Sequence, residues 1–343
     1  MKRRVTLAEV AKSAGVSHQT VSNVLNNRSV VREETRKLVS HHLKQSGYRR
    51  NATARSLKTN QSNLIGLVVP SMTNSMYAEV AQAVVREAER RGYTVMMAVS
   101  NRDAEVEMSV VHTIIDHNAA GILISPSDVE GKASKLIKDQ GVPFAEMLNR
   151  SAFDMCDVYE ADNHNGARTA TNHLIECGHT NIGFIAGVFS STAQSRYEGY
   201  IEALKTAGLP MSSELIVSGN YTREGGLLAC QQILDSGRHP TAIFCASDIM
   251  AYGAMDELAA RGLRIPQDVA IIGFDDMELS SLPGVSLSSI SFQPAVLACR
   301  AIAQLIDRIE LSDPFADRAY ERVPCSLVVR ASTVTTQTHR DAS

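Results

Sequence analysis

The sequence predicts a small all-α helix-turn-helix head followed by a two-lobed α/β core built on parallel sheets. Three observations lead there. The chain has 343 residues, more than the ~100–200 of a usual single domain. Its first sixty residues place apolar side chains at helical spacing, whereas from Leu64 onward short continuous apolar runs alternate with amphipathic stretches. Hydrophobic residues make up 44% and charged residues 21%, a globular composition that excludes disordered, collagenous and coiled-coil chains.

The head begins with Thr6-Leu7-Ala8-Glu9, a capping box in which the Thr hydroxyl accepts from the backbone N–H three residues on and Glu9 reaches back. A helix starts there, and Leu7, Val10, Ala11 and Ala14 give it one buried face. Gly15 ends it by permitting a left-handed backbone. Ser17 then caps a second helix so soon after Ala14 that the two must meet at a steep angle. In the second helix Val21, Val24 and Leu25 form the buried stripe, leaving His18, Gln19, Ser22, Asn23 and Asn26 on the other face. That face is polar but uncharged, and its amides and hydroxyls are the groups that base edges and phosphates accept. A third helix over Glu33 to Ser46 closes the core with Leu38, Val39 and Leu43.

Residues 1 to 60 hold thirteen lysines and arginines against Glu9, Glu33 and Glu34, a local charge of +10; the overall −3 leaves −13 for the rest. A cationic end on an anionic body points to nucleic acid or an anionic membrane surface as partner. A solvated basic tail is the plain alternative, and the ordered succession of caps and stripes argues against it. No window approaches the ~18–20 apolar residues of a membrane span, and Met1-Lys2-Arg3-Arg4 leads into a charged amphipathic stretch, so neither secretion nor membrane insertion is expected. The six cysteines form no C-x-x-C and lie mostly within apolar runs, and are expected to be reduced core residues.

In the core, strands are expected at Leu64 to Val69, Thr94 to Val99, Gly121 to Ile124 and Val142 to Met147, with a helix from Met76 to Arg91 ended by Gly92. A second series follows. Its helices run over 166–176, 196–207, 224–234 and 249–261, and its strands over 182–186, 214–217, 242–246 and 269–274. Continuously apolar strands alternating with helices imply parallel sheets covered on both faces. Two such sheets make two lobes with a cleft between them, and open α/β sheets bind ligands at the carboxyl ends of their strands. Ser125, Ser247-Asp248 and Asp275-Asp276 stand at such ends. A helix cap is the plain alternative for Asp248.

No phosphate-binding loop, G-x-G-x-x-G, H-E-x-x-H or G-x-S-x-G is present, so no motif supports an enzyme. His41 and His42 are neighbours on a helix, pointing about 100° apart, and read as a solvated edge rather than a metal site.

The stretch from Val5 to Asn26, VTLAEVAKSAGVSHQTVSNVLN, resembles the helix-turn-helix of lactose-repressor (LacI) family regulators. The resemblance continues through Thr35-Arg36, Gly47-Tyr48, Asn51 and Ala54-Arg55-Ser56-Leu57. It extends over the core in Asn74-Ser-Met-Tyr77, Val142-Pro143, Asp162-Asn163, Gly178-His179, Arg196-x-x-Gly199-Tyr200, Ser247-Asp248, Ile272-Gly-Phe-Asp-Asp276 and the late strand Val323 to Ser332. It implies a periplasmic-binding-protein-like core at 62–334, a DNA-binding domain at 1–48, a hinge helix and linker at 49–61, and a disordered tail at 335–343.

The same resemblance implies that the second helix lies in the major groove of double-stranded operator DNA, with His18, Gln19 and Asn23 nearest the bases. Ser17, Ser22, Asn26, Tyr48 and Asn51 match phosphate-holding positions, and Thr20 and Ala54 complete the DNA-facing set. Leu57, from a paired hinge helix, would wedge into the minor groove. Two departures stand out: Asn23 replaces an Arg common in the family, and Arg50 replaces a common Pro. In the core Tyr77, Arg196, Tyr221, Asp275 and Gln293 match effector-pocket positions, with Ser125, Glu146, Ser190, Ser247 and Asp248 as further members. A fork donor opposite a carboxylate, here Arg196 with Asp275, can hold vicinal hydroxyls.

The function so implied is a cytoplasmic transcriptional regulator, a repressor, acting as a homodimer without cofactor. A small polar metabolite such as a sugar or sugar acid would switch its DNA affinity, by release or by recruitment. The polar tail from Thr335 to Ser343 offers no leucine heptad for a tetramer. A solute-binding protein feeding a transporter would share the lobes but require an export signal and no basic head. An enzyme with a nucleic-acid-binding appendage would turn its cleft ligand over.

Overall fold

The computed structural model describes residues 5–25, 30–46, 62–311 and 317–334, and the chain divides into two compact units, 1–61 and 62–343.

The first unit holds α1 (Leu7–Ser13), α2 (His18–Leu25) and α3 (Glu33–Ser46). The capping box forms: Glu9 N–H donates to Thr6 Oγ1 at 3.3 Å, and Thr6 N–H donates to Glu9 Oε2 at 2.7 Å. Gly15 has φ +64°, and Thr20 N–H donates to Ser17 Oγ at 3.0 Å at the start of α2. Val10, Ala11, Ala14, Val21, Val24 and Val39 are the buried centre, with Leu7, Leu25 and Leu43 packed against them. Leu38 departs from expectation, being 46% exposed. Successive helical residues point about 100° apart, so only one of Leu38 and Val39 can face inward, and Val39 shares its face with Leu43.

In the second unit the first lobe contains β1 (Leu64–Val69), α4 (Ser75–Arg90), β2 (Thr94–Val99), α5 (Ala104–Asp116), β3 (Gly121–Ile124), α6 (Lys132–Asp139), β4 (Phe144–Met147) and β5 (Asp157–Ala161). The second lobe contains α7 (Asn163–Glu176), β6 (Ile182–Ala186), α8 (Ser191–Thr206), β7 (Ile216–Ser218), α9 (Arg223–Asp235), β8 (Ala242–Cys245), α10 (Asp248–Ala260), β9 (Ala270–Phe274) and β10 (Ser288–Ser291). The chain then returns to the first lobe as α11 (Pro294–Glu310) and β11 (Tyr320–Val323), and ends in the second as β12 (Ser326–Val328). The late stretch expected as one strand is thus two, one in each sheet. Three crossings join the lobes, near Asp162, at 292–293 and at 324–325.

The sheets run β11-β5-β4-β3-β1-β2 and β12-β10-β9-β8-β6-β7. Pairings are parallel except β10 with β12. The inner strands β1, β3, β6, β8 and β9 are buried on both faces, which is why they lack polar alternation, whereas the edge strands β2, β7, β11 and β12 are partly exposed. On β1, Ile65, Leu67 and Val69 join Val80 and Val84 of α4, while Val68 packs with Val111 and Ile114 of α5. In the second lobe a Cβ on Gly199 of α8 would stand 2.2 Å from the His164 carbonyl oxygen of α7, so the close approach of these helices needs glycine. All six cysteines are free; Cys156, Cys230 and Cys245 are buried as expected, but Cys177 and Cys299 are exposed. Cys177 caps the C-terminal end of α7 and Cys299 lies within α11, positions where an apolar neighbourhood in the sequence does not fix burial.

Candidate functional site

A cleft of about 300 Å³ opens between the lobes at the carboxyl ends of their strands. Pro70 follows β1, Pro126 and Ser127 follow β3, Leu148 follows β4, Val188 follows β6, and Asp275 follows β9; all line it. Ala161, Asn163 and Phe292 line it beside two of the interlobe crossings. A molecule held here touches both lobes and the segments about which they would turn.

Arg196, only 4% exposed, projects from α8. Its Nε donates to Asn163 Oδ1 at 2.9 Å, and Nη1 donates to the Ala246 carbonyl and, at 3.4 Å, to Asp275 Oδ1. Burial pushes the Asp275 carboxyl up to about 6 against the opposing pull of Arg196, with Asn74 and Arg102 also favouring the charged form. The same burial raises Tyr77 and Tyr221 above the usual phenol range, keeping both as neutral hydroxyls. The Tyr221 hydroxyl is buried and makes no hydrogen bond of good geometry, leaving it available to a ligand. A Cβ on Gly187 would lie 2.1 Å from the Tyr221 ring, so this tyrosine reaches the cleft only over a glycine. Arg102, Leu148, Tyr221 and Asp275 all have positive φ, at 59°, 67°, 54° and 109°. Non-glycine residues hold such angles at ~1–3 kcal/mol each, and they cluster where side chains must be aimed.

Of the ten expected pocket residues, Tyr77, Ser190, Arg196, Tyr221 and Asp275 line the cleft. The other five are not among its lining residues. Glu146 accepts from Ser134 Oγ, Ser151 Oγ and Ser151 N–H at 2.5, 2.6 and 2.7 Å, so its carboxylate ties β4 to α6 and the following loop. Asp248 accepts from Met277 N–H and from the hydroxyls of Ser280 and Ser289 at 2.8, 2.6 and 2.6 Å, fixing the turn that follows Asp275. Burial and the Asp275 charge raise Asp248 to about 7. Ser125 and Ser247 are buried, each with a hydroxyl lacking a hydrogen-bond partner, one strand end behind the lining. Gln293 occupies the N-cap of α11 with φ 55°, and its neighbour Phe292 faces the cleft instead. Sequence reading missed Asn74, Arg102, Ser127, Asn149, Asn163 and Thr192 as lining residues. Asn74 and Asn163 sit at helix starts after strand ends, a placement that could have flagged them.

On α2, His18 and Gln19 are exposed and Thr20, Ser22 and Asn23 half-buried. Gln19 Nε2 donates to Asn23 Oδ1 at 3.0 Å, joining the two amides into one exposed unit. Ser17 and Thr20 share a hydroxyl contact at 2.8 Å. Asn26, Tyr48, Asn51, Ala54 and Leu57, with the hinge and the tail, lie outside the described residues.

A helix-turn-helix with an amide-rich outer face, in a chain that also carries a two-lobed binding core, defines a ligand-responsive DNA-binding regulator. Residues 6–51 match the lacI family of bacterial regulatory proteins, and residues 171–333 match the periplasmic binding protein-like domain. The HTH-type transcriptional repressor PurR of Pasteurella multocida (strain Pm70) is 33% identical over 329 residues, covering 95% of this chain and 98% of that protein. The lac repressor dimer bound to operator and the anti-inducer ONPF superposes with a TM-score of 0.87 at 27% identity, covering 97% of this chain and all of the other. The transcriptional regulator CelR in complex with cellobiose superposes with a TM-score of 0.72 at 28% identity, over 96% of this chain and all of the other. The chain belongs to the lacI family of bacterial regulatory proteins and is a DNA-binding transcriptional regulator.

Proposed function

We propose that the protein is a homodimeric, non-enzymatic repressor that works in the cytoplasm on a pseudo-palindromic operator, with a small polar metabolite in the cleft setting its DNA affinity. The observation that carries this reading is the buried Arg196–Asp275 pair, set between two lobes and beside their crossings. A ligand bridging Tyr77 of the first lobe and Arg196, Tyr221 and Asp275 of the second binds unequally to different lobe angles, and only that inequality can shift a conformational equilibrium. The segment from 49 to 61 would carry the change to the head. His18, Gln19 and Asn23 would read base edges, with Ser17, Ser22, Asn26, Tyr48 and Asn51 positioning the head on phosphates, Thr20 and Ala54 completing the DNA-facing set, and Leu57 in the minor groove. Leu279 and Leu282, exposed beside a groove lined by Tyr252, Met255 and Leu263, offer an apolar surface for the second subunit.

The test is selection of duplexes from a random pool by full-length protein, followed by a thermal-shift screen of metabolites. A ligand at 100 times its Kd raises stability by ~2.7 kcal/mol, and the same ligand should change retention of the selected duplex. Recovery of no preferred sequence under any ligand condition rejects the reading, and turnover of the bound ligand rejects its non-enzymatic part.

A further inference from the structure

The charges facing the cleft do not cancel. Its charged lining residues are Arg102, Arg196 and Asp275. Arg196 and Asp275 face one another, whereas Arg102 has no ion-pair partner among the described residues. Arg102 Cζ lies 5.4 Å from the centroid of the Tyr221 ring. Its charge acts on the Tyr77 and Tyr221 hydroxyls and on the Asp275 carboxyl alike. The guanidinium therefore stands among the same groups that Arg196 and Asp275 serve, and it is half-buried. Asn101 and Arg102 both hold left-handed backbone, with φ 54° and 59°, a conformation that non-glycine residues keep only where the surroundings enforce it.

A neutral polyol closed into this cleft would leave one partly desolvated cation unpaired, an unfavourable arrangement. One carboxylate cancels the excess of +1, while a phosphate monoester, near −2 at neutral pH, overshoots it. Two hydroxyl-matching groups, Asp275 and Asn163, are grouped around Arg196, while the Tyr221 ring lies beside Arg102. We propose that the cleft takes a small hydroxylated monocarboxylate, with its acid group on Arg102 and its hydroxyls on the Arg196–Asp275 side. This inference rests on the reading of the cleft as the effector site.

Full-length protein, wild type and Arg102→Gln, is titrated by calorimetry with three matched sets of probes: D-gluconate, D-galactonate and D-glucuronate; the parent neutral hexoses; and the hexose 6-phosphates. At least one acid should bind, with its neutral parent at least ~10-fold weaker, about the strength of one charge-assisted contact. Arg102→Gln should weaken the acid by a similar factor, and Arg102→Lys, which keeps the charge, should restore most of that loss. Binding confined to neutral hexoses or to phosphates overturns the proposal and leaves the effector-cleft reading standing. An acid whose affinity survives Arg102→Gln has the same effect. Silence from all three sets also overturns it; a purine and nucleoside screen then judges the cleft reading separately.

Discussion

The guanidinium of Arg196 lies over the ring of Phe274, its Cζ 3.4 Å from the ring centroid. The aromatic face holds the fork in a fixed plane while its edge is shared among Asn163, Ala246 and Asp275. Lysine has three donors but on a single compact ammonium, so it cannot lie flat on the ring as the planar fork does, nor span Asn163, Ala246 and Asp275 from separate nitrogens.

Arg196→Lys should therefore fold yet bind the effector ~10–100-fold more weakly, the loss of one charge-assisted hydrogen bond of ~1.5–3 kcal/mol. Arg196→Ala removes the only ion-pair partner of Asp275 among the described residues and should destabilise the core by about 3 kcal/mol. Urea unfolding and effector titration separate the two effects. An Arg196→Ala protein with an intact metabolite response would show that the cleft lies elsewhere.

Asp248 and Asp275 make stability and binding depend on pH in opposite ways. Asp248 rises from the ordinary 3.8 to about 7 in the folded protein, so between those values the native state binds more protons than the unfolded chain. Its contribution is fully present below about 4 and is lost as pH climbs through about 7. Wild type compared with Asp248→Asn should therefore lose a few kcal/mol of relative stability between about pH 4 and 7, and level off above. Asp275, raised to about 6, accepts a ligand hydroxyl more strongly as the carboxylate than as the neutral acid, so the hydroxyl contribution to effector affinity should weaken below about pH 6. A flat difference between wild type and Asp248→Asn would place that carboxylate at its ordinary value.

Most of this architecture was legible from the chain. Strands β1, β2, β3 and β6 fall on the residues expected of them: β1, β3 and β6 are continuously apolar because both their faces are buried, and β2, though a partly exposed edge strand, carries the same apolar run. The strands that were not anticipated carry buried polar groups satisfied only by distant partners. In β5 Asp157 receives two 2.9 Å hydrogen bonds from Arg308. In β10 Ser289 donates to Asp248, and Ser288 bonds Thr333 at 2.8 Å. Such partners lie tens of residues away, and local pattern cannot show them. The cleft was half legible for the same reason. A carboxylate after a strand looks alike whether it lines the cleft, as Asp275 does, or meets three protein donors, as Asp248 does.

Glycines on facing helices set another limit. A Cβ on Gly253 of α10 would come within 1.9 Å of the Arg223 carbonyl oxygen, and one on Gly226 of α9 within 2.1 Å of the Met250 carbonyl oxygen. These neighbours are backbone and cannot swing aside. Gly253→Ala should force the helices apart and destabilise the second lobe by ~1–3 kcal/mol, despite the better helix propensity of alanine. Because α10 begins at Asp248, effector affinity should fall with it. Calorimetric melting reports the first effect and ligand titration the second, and a variant as stable as wild type would contradict the packing.

The last expectation concerns the head. Gln19 and Asn23 are joined by a 3.0 Å amide hydrogen bond, which leaves the Gln19 carbonyl and the Asn23 amino group outward as an acceptor and donor pair. An adenine presents the complementary N6 donor and N7 acceptor in the major groove. Gln19→Ala should relax sequence preference at the base pair it faces, with about 1–3 kcal/mol of discrimination lost there. Other positions of the selected duplex should keep their preference. Asn23→Ala frees the Gln19 side chain to rotate, so it should weaken the same preference without abolishing it. If Ser17 holds phosphate as proposed, a change there should instead lower affinity for every sequence alike. Duplex selection with each variant, at one fixed salt concentration, distinguishes these patterns; uniform loss across all sequences for Gln19→Ala would remove it from the base-reading set.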